Sequence, residues 1–150
     1  MADQVLAYGP DYAFTHSEHK DLAMGIDRIH RVADMAGRLP ATQVATEVRR
    51  LCEWLAAVLE PHMLWENTVL YRAVERVTGC GLPTRLMRFE HRQIQRGINA
   101  LDGDARIFRD GVVTHEELCD IRSHLLGLEA LLRAHIEREE LAVLPMLDVG

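Results

Sequence analysis

Histidines and glutamates that interrupt apolar helical stripes are the residues with the clearest chemical potential in this chain. Near the C-terminus, apolar side chains recur every three or four residues, which predicts a helix face packed into a core. That stripe runs through Leu118, Ile121, Leu125, Leu128, Leu132, His135, Glu139, Ala142 and Met146. His135 and Glu139 are four residues apart and should point the same way, one helical turn apart. A buried carboxylate is costly unless it is paired or binds a metal.

The same interruption occurs in three other helical segments. A second stripe carries the spacing His-x-x-x-Glu again, and it runs through Val44, Val48, Leu51, Leu55, Val58, His62, Glu66, Val69 and Ala73. Two further stripes each contain one histidine, His19 and His91. A single such histidine is usually a hydrogen-bonded core residue, and a single His-x-x-x-Glu is usually a surface pair. Six of these residues, spread over four stripes and level in an antiparallel bundle, favour a buried metal site.

The types of these six residues restrict the metal. Imidazole and carboxylate together suit iron, manganese or zinc. The three cysteines, Cys52, Cys80 and Cys119, form no Cys-x-x-Cys pair, which argues against a thiolate site or a disulfide framework. Six ligands are too many for one tetrahedral zinc. Two ions about 3.5–4 Å apart, bridged by the carboxylates and by an oxide or hydroxide, fit better and leave roughly two coordination positions open to a small ligand.

The elements that must position these residues form an all-α, up-down-up-down four-helix bundle. We predict one domain over residues 1–150, with an irregular arm at 1–14 and helices at about 15–36, 42–78, 83–101 and 114–147. Capping boxes are predicted where Thr15 and Thr114 each precede a glutamate by three residues. Pro61 predicts a kink just ahead of His62, and the third helix is expected to stop at Asp102-Gly103-Asp104, leaving one short turn within 104–113.

The composition excludes several classes of protein. The net charge of -6 does not favour nucleic acid or an anionic membrane as a partner. No apolar run approaches the roughly 20 residues of a membrane span, and the N-terminus lacks the pattern of a signal peptide. A reducing cytoplasm is therefore the expected location.

The order His … His-x-x-x-Glu … His … His-x-x-x-Glu, over about residues 15–148, resembles hemerythrin-like proteins of the HHE cation-binding type. Val69-Leu70-Tyr71 after the first motif and Val143-Leu144-Pro145 after the second are similar to the family's signature segments. The resemblance implies a non-haem centre of two iron ions, oxo- or hydroxo- and carboxylate-bridged. Its implied ligands are His19, His62, Glu66, His91, His135 and Glu139. The implied partner is a small diatomic molecule or peroxide.

Departures from the oxygen-carrying hemerythrins bear on the function. Those carriers have a second histidine one turn away on the third helix, where this chain has Met87 and Gln95. They also have an acid five residues after the last histidine; here Glu139 comes at four and Glu140 at five. The missing imidazole favours reaction with dioxygen, peroxide or nitric oxide, or sensing, over reversible oxygen carriage. Peroxide- or nitric-oxide-consuming activity, an iron- or oxygen-responsive regulator acting through a protein partner, iron storage and a metal-free interaction module stay open as alternatives.

Further polar residues are secondary candidates. Extra ligands, or partners of the ligands, are sought among Tyr12, Tyr71, Gln95 and Glu140. His30 and His124 each lie eleven residues from a candidate ligand, about three turns away. They are candidates for a hydrogen-bonded pair or a second cation site, although two half-buried polar residues is the simpler interpretation. His16 and His115 are expected to be solvated.

Overall fold

A computed structural model describes residues 12–149, and they form four helical rods. The first rod is Tyr12–Met35, the second covers residues 41–78, the third is Leu82–Asp110, and the fourth covers residues 115–149. The first and third rods each pack against the second and fourth. The predicted all-α four-helix bundle is therefore confirmed. Among the described residues no helix combines the length and apolarity needed to cross a membrane.

The second and fourth rods change their helical winding along their length. The second rod consists of Ala41–Trp54, a π-helical segment Leu55–Leu59, Glu60–Trp65, a second π-helical segment Glu66–Leu70, and Tyr71–Thr78. The fourth consists of His115–Arg138, a π-helical segment Glu139–Val143 and a 3-10 segment Leu144–Val149. Pro61 is the second residue of the α-segment that follows the first π-helical segment. The rod thus accommodates this proline through a wider turn, which is a known cause of helix bending.

Two predicted helix limits are wrong, because packing overrides the local signals. Thr15 is not an N-cap: the first rod has already begun at Tyr12, and Thr15 is buried inside it. The extra turn carries Phe14, whose ring packs edge-on against Trp65 with centroids 5.4 Å apart. Residues 12–14 are therefore helical rather than part of an irregular arm, and the rest of the predicted arm lies outside the described residues.

The third rod passes through the predicted stop at Asp102-Gly103-Asp104 and continues to Asp110. Asp104 is buried and accepts a hydrogen bond from His124 Nδ1 of the fourth rod at 2.8 Å. Phe108, one turn further on, packs against the main core. These contacts offset the low helix propensity of the glycine and the aspartates.

Other rod ends follow their local chemistry. Gly79 ends the second rod in the left-handed conformation, with φ of 65°, and its N–H donates to the carbonyl of Glu75 at 2.9 Å. Glycine adopts this conformation without the steric penalty of a Cβ. Thr114 and Glu117 form the predicted capping box at the start of the fourth rod.

Two apolar clusters lie at different levels of the bundle, with a polar layer between them. The main cluster includes Leu22, Leu59, Ile94 and Leu132, one from each rod. The smaller cluster is built from Trp65, Leu70, Tyr71, Val74, Met87, Val143 and Leu144. In the first and third rods, His19 and His91 fall between the parts that belong to these two clusters; in the second and fourth rods, His62 and His135 lie where the main cluster ends, since Met63 and Ile136 still contact it. The polar layer is therefore enclosed by apolar side chains above and below.

Candidate metal centre

Six buried side chains meet in the polar layer and form two overlapping groups that can each hold a metal ion. The first group is His19, His62, Glu66 and Glu139; the second is Glu66, His91, His135 and Glu139. Within each group one ligand atom per residue lies within 4.8 Å of the others. Both glutamates belong to both groups, whereas each histidine belongs to one. This sharing is consistent with a binuclear metal site.

The distances between the inward atoms match those of ligands around a common ion. His19 Nε2 lies 3.0 Å from Glu139 Oε1, and His62 Nε2 lies 3.2 Å from Glu66 Oε1. His91 Nε2 is 3.2 Å from the same Glu66 oxygen. Two ligands at right angles, each about 2.0–2.1 Å from one ion, are about 3 Å apart.

Several atoms of the cluster lack the hydrogen bonds that buried polar groups normally make. Among residues 12–149, no hydrogen-bond partner is aligned with His19 Nε2, with either ring nitrogen of His62, with Glu66 Oε2 or with Glu139 Oε1. Leaving such atoms unpaired is costly in a protein interior. Metal ions coordinated by these lone pairs would satisfy them, so the residues present fit a metal centre.

Outward hydrogen bonds orient three of the four imidazoles. The Nδ1 atoms of His19, His91 and His135 meet an oxygen of Glu140 at 2.7 Å, of Asn67 at 2.8 Å and of Glu90 at 2.7 Å, respectively. An Nδ1–H that donates outwards leaves the Nε2 lone pair facing the cluster, which is the usual arrangement of metal-binding histidines. His62 Nδ1 faces Glu18 Oε2 at a longer 3.5 Å.

The shared glutamates occupy special positions in their helices. Glu66 and Glu139 are each the first residue of a π-helical segment. A π turn bonds residue i to residue i+5, and the N–H of Tyr71 accordingly donates to the carbonyl of Glu66. Tyr71, five residues after Glu66, is thereby turned towards the cluster, where a regular α-helix would turn it away.

Charge and burial act in opposite directions on the imidazole pKa values. Burial would lower the pKa of His19, but the carboxylates of Glu139 and Glu66 outweigh it and raise the pKa to about 11. The same balance raises the pKa of His62 to about 9 through Glu66 and Glu18, and that of His135 to about 9 through Glu139 and Glu90. Without metal, protons therefore supply the positive charge that these carboxylates require.

Burial also favours a protonated carboxyl at Glu66, yet the charge of His62 and contacts with Glu139 and His19 hold its pKa well below the usual value. Tyr71 shows the opposite effect. Burial, together with the charges of Glu66 and Glu139, raises its pKa well above that of a free phenol.

The chain also matches a known protein family. The sequence matches the hemerythrin HHE cation-binding domain over residues 11–147. The chain belongs to this family. It matched no curated protein and no solved structure. The HHE domain accounts for nearly the whole described bundle, including all six residues of the cluster.

The secondary candidates of this HHE domain divide into those at the cluster and those away from it. The Tyr71 hydroxyl donates to Glu139 and lies 3.2 Å from His91 Nε2. Glu140 lies just outside, as the partner of His19. Gln95 points elsewhere, and its amide donates to Asn99 at 3.1 Å. The side chain of Tyr12 lies outside the described part of the chain.

The remaining histidines do not join the cluster. His30 and His124 do not pair with each other: His30 Nδ1 meets Glu129 at 2.9 Å, whereas His124 binds Asp104. Neither belongs to a potential metal-binding group among residues 12–149. His16 was expected to be solvated, but it is only partly so, because its Nδ1 also lies 3.0 Å from Glu140.

Glu18, Asn67 and Glu90, which face the outer nitrogens of three imidazoles, were not predicted from the sequence. Glu18 and Glu90 each directly precede a stripe histidine, but each faces a histidine of another rod, His62 and His135. Successive residues in a helix are about 100° apart. A polar residue next to a stripe position can therefore reach across to a neighbouring helix. The position of Glu18 and Glu90 directly before a stripe histidine was the sequence signal that could have identified them.

Proposed function

We propose that this HHE domain binds two iron ions and uses them to bind or react with a small oxidant: dioxygen, peroxide or nitric oxide. The observation that carries the proposal is the sharing of Glu66 and Glu139 between two buried ligand groups. A closed structural site needs neither two shared carboxylates nor unfilled positions. Bound iron would supply the coordination and electron transfer that such a ligand requires.

The ligand set supports a reactive site. Each ion would have two imidazoles and two shared carboxylates from the protein, namely His19 and His62 for one and His91 and His135 for the other. An octahedral ion has six coordination positions. After an oxide or hydroxide bridge is added, roughly two positions remain open on the pair of ions. Trp65 and Tyr71, both fully buried beside the cluster, would limit access of bulk water.

Tyr71 is our candidate for the group that replaces the missing imidazole of the oxygen carriers. Its hydroxyl contacts one residue of the second ligand group, His91, and donates to the shared Glu139. We propose that this oxygen coordinates iron directly. A nearby cation would lower the pKa of the phenol, opposing the carboxylates that raise it in the metal-free protein.

Metal analysis with absorption spectra tests the proposal. About two iron ions per chain, with charge-transfer absorption that changes on adding peroxide, nitric oxide or dioxygen, is the expected result. Iron that is held but does not respond to any of the three would favour storage. A spectrum that reverses when oxygen is removed would favour carriage. Protein that is folded but holds no transition metal after iron-replete expression would refute the proposal.

A further inference from the structure

A groove between the second and third rods extends from the surface to His91, one of the six residues of the candidate metal centre. Its volume is about 710 Å³, and its lining includes Ala56, Met63 and Leu64 on the second rod and His91 on the third. The charged side chains of Glu60, Arg88 and Arg92 also line it. The first π-helical segment, Leu55–Leu59, carries Ala56 at one end of the groove. Met63 is 5% exposed and Leu64 is 52% exposed, so the apolar lining continues from solvent into the core.

The residues that contact the outer nitrogens of the imidazoles differ on the side that faces the groove. Three of the four imidazoles have a carboxylate on their outer side; the pairs are His19–Glu140, His62–Glu18 and His135–Glu90. His91 instead bonds the neutral amide of Asn67, which also lines the groove. Charge-assisted hydrogen bonds are roughly twice as strong as neutral ones. Of these four outer contacts, His91–Asn67 is the one without a charged partner.

Other approaches to the centre are more heavily covered. On the side of the first rod, Glu140 of the fourth rod bonds both His19 and the half-buried His16. Outside His135, Glu90 is also held by Arg138, with an N–O distance of 2.5 Å.

We propose that this groove is the access route by which an uncharged diatomic ligand, dioxygen or nitric oxide, reaches the metal centre past Met63, Asn67 and His91. The inference rests on the proposed function. The apolar lining favours uncharged diatomic molecules over ions, since moving an ion from water into apolar surroundings is costly. Glu60, Arg88 and Arg92 of the lining are at least partly exposed to solvent, whereas the buried inner end is formed by the apolar Met63 and the neutral His91–Asn67 contact.

The first test is the rate of nitric oxide binding to iron-loaded protein, followed by rapid-mixing absorption. Ala56→Phe and Leu64→Trp narrow the groove at exposed positions away from the cluster. They should slow association about tenfold and leave the iron content and final spectrum unchanged. Ala57→Phe and Leu131→Trp place the same side chains at exposed positions that do not line the groove. Both controls should bind at the rate of the unmodified protein.

A second measurement does not depend on reaction at iron. In protein loaded with diamagnetic Zn²⁺, dissolved dioxygen should enhance relaxation of the Met63 methyl protons, and Ala56→Phe should reduce this effect while Ala57→Phe does not. Equal association rates in groove and control variants, or Met63 relaxation that does not respond to Ala56→Phe, would overturn the route. Failure of the iron-loaded protein to bind nitric oxide refutes nitric oxide binding by the centre, and the zinc measurement then tests the groove by itself.

Discussion

Replacing Glu66 should remove both metal ions, whereas replacing His19 should remove only one. Glu66 belongs to both ligand groups, so each ion loses one of its four protein ligands in Glu66→Leu. His19 belongs to the first group alone, and the second group keeps all four members in His19→Leu. The expected metal content falls from about two ions per chain to about zero in the first variant and about one in the second.

Leucine keeps much of the side-chain volume and removes every ligand atom, so both variants should still fold. Replacing a buried charged group by a well-packed apolar one is often neutral or stabilising, and Glu66 has an oxygen without an aligned hydrogen-bond partner. The assay is elemental analysis of protein expressed with excess iron, with circular dichroism to confirm helical structure. His30→Leu is the matched control, because His30 is half-exposed and contacts Glu129 rather than the cluster.

The stoichiometry separates this account from a single-metal site. Loss of all metal from both Glu66→Leu and His19→Leu would indicate one ion held by all six residues. Retention of both ions in Glu66→Leu would show that this carboxylate is not shared. Equal loss in His30→Leu would show that metal content responds to general disturbance of the bundle, and the ligand assignment would then fail.

Three further outcomes follow from the structure. Gly25→Ala should destabilise the protein by roughly 1–3 kcal/mol in denaturant unfolding, because its new Cβ would lie 2.1 Å from Trp54 Cζ2. Gly127→Ala, which has open space around its new Cβ, should instead stabilise the protein by roughly 0.5–1 kcal/mol. Stabilisation by both variants would contradict the packing argument. Chelator-treated protein should lose thermal stability at high pH, because three imidazoles of the site, those of His19, His62 and His135, have a folded pKa raised from 6.5 to about 9–11. Their contribution to the free energy of unfolding is complete below pH 6.5 and disappears as the pH rises through 9 to 11. Metal-loaded protein should not show this loss, because metal replaces the protons, and identical pH profiles of the two forms would refute it. Tyr71→Phe should abolish a visible phenolate-to-iron absorption band while about two ions stay bound; an unchanged spectrum would show that the phenol is only a hydrogen-bond donor.

Much of the fold follows from local pattern. Most of the apolar stripe positions, the end of the second helix near residue 78 and the capping box at Thr114 appear in the structure. These signals depend on a few neighbouring residues, and the same physics applies to them in any bundle. Where a local signal competed with burial, as at Asp102-Gly103-Asp104, burial decided the outcome.

The candidate site was predictable for a related reason. Histidines and glutamates at stripe positions must enter the core, and burying them requires compensating charge. Their residue types therefore indicated a metal centre before any contact was known. The two carboxylates that were expected to be shared by two ions are the residues common to both groups in the structure.

Tertiary structure alone decided the surroundings of the site. The stripe of the second rod was expected to continue through Val69 and Ala73; Ala73 is buried and Val69 packs against the smaller cluster, but the π-helical segment at Glu66 widens the buried face to include Leu70, Tyr71 and Val74. A π turn has little local signature, since it forms where packing and site geometry favour it over the α-helical bond. Partners such as Glu90 for His135 join residues 45 positions apart. The sequence by itself determined which side chains enter the core and the charge they need there; which of them touch across the bundle depended on how the four rods pack, because rotation and level are set by contacts among all of them.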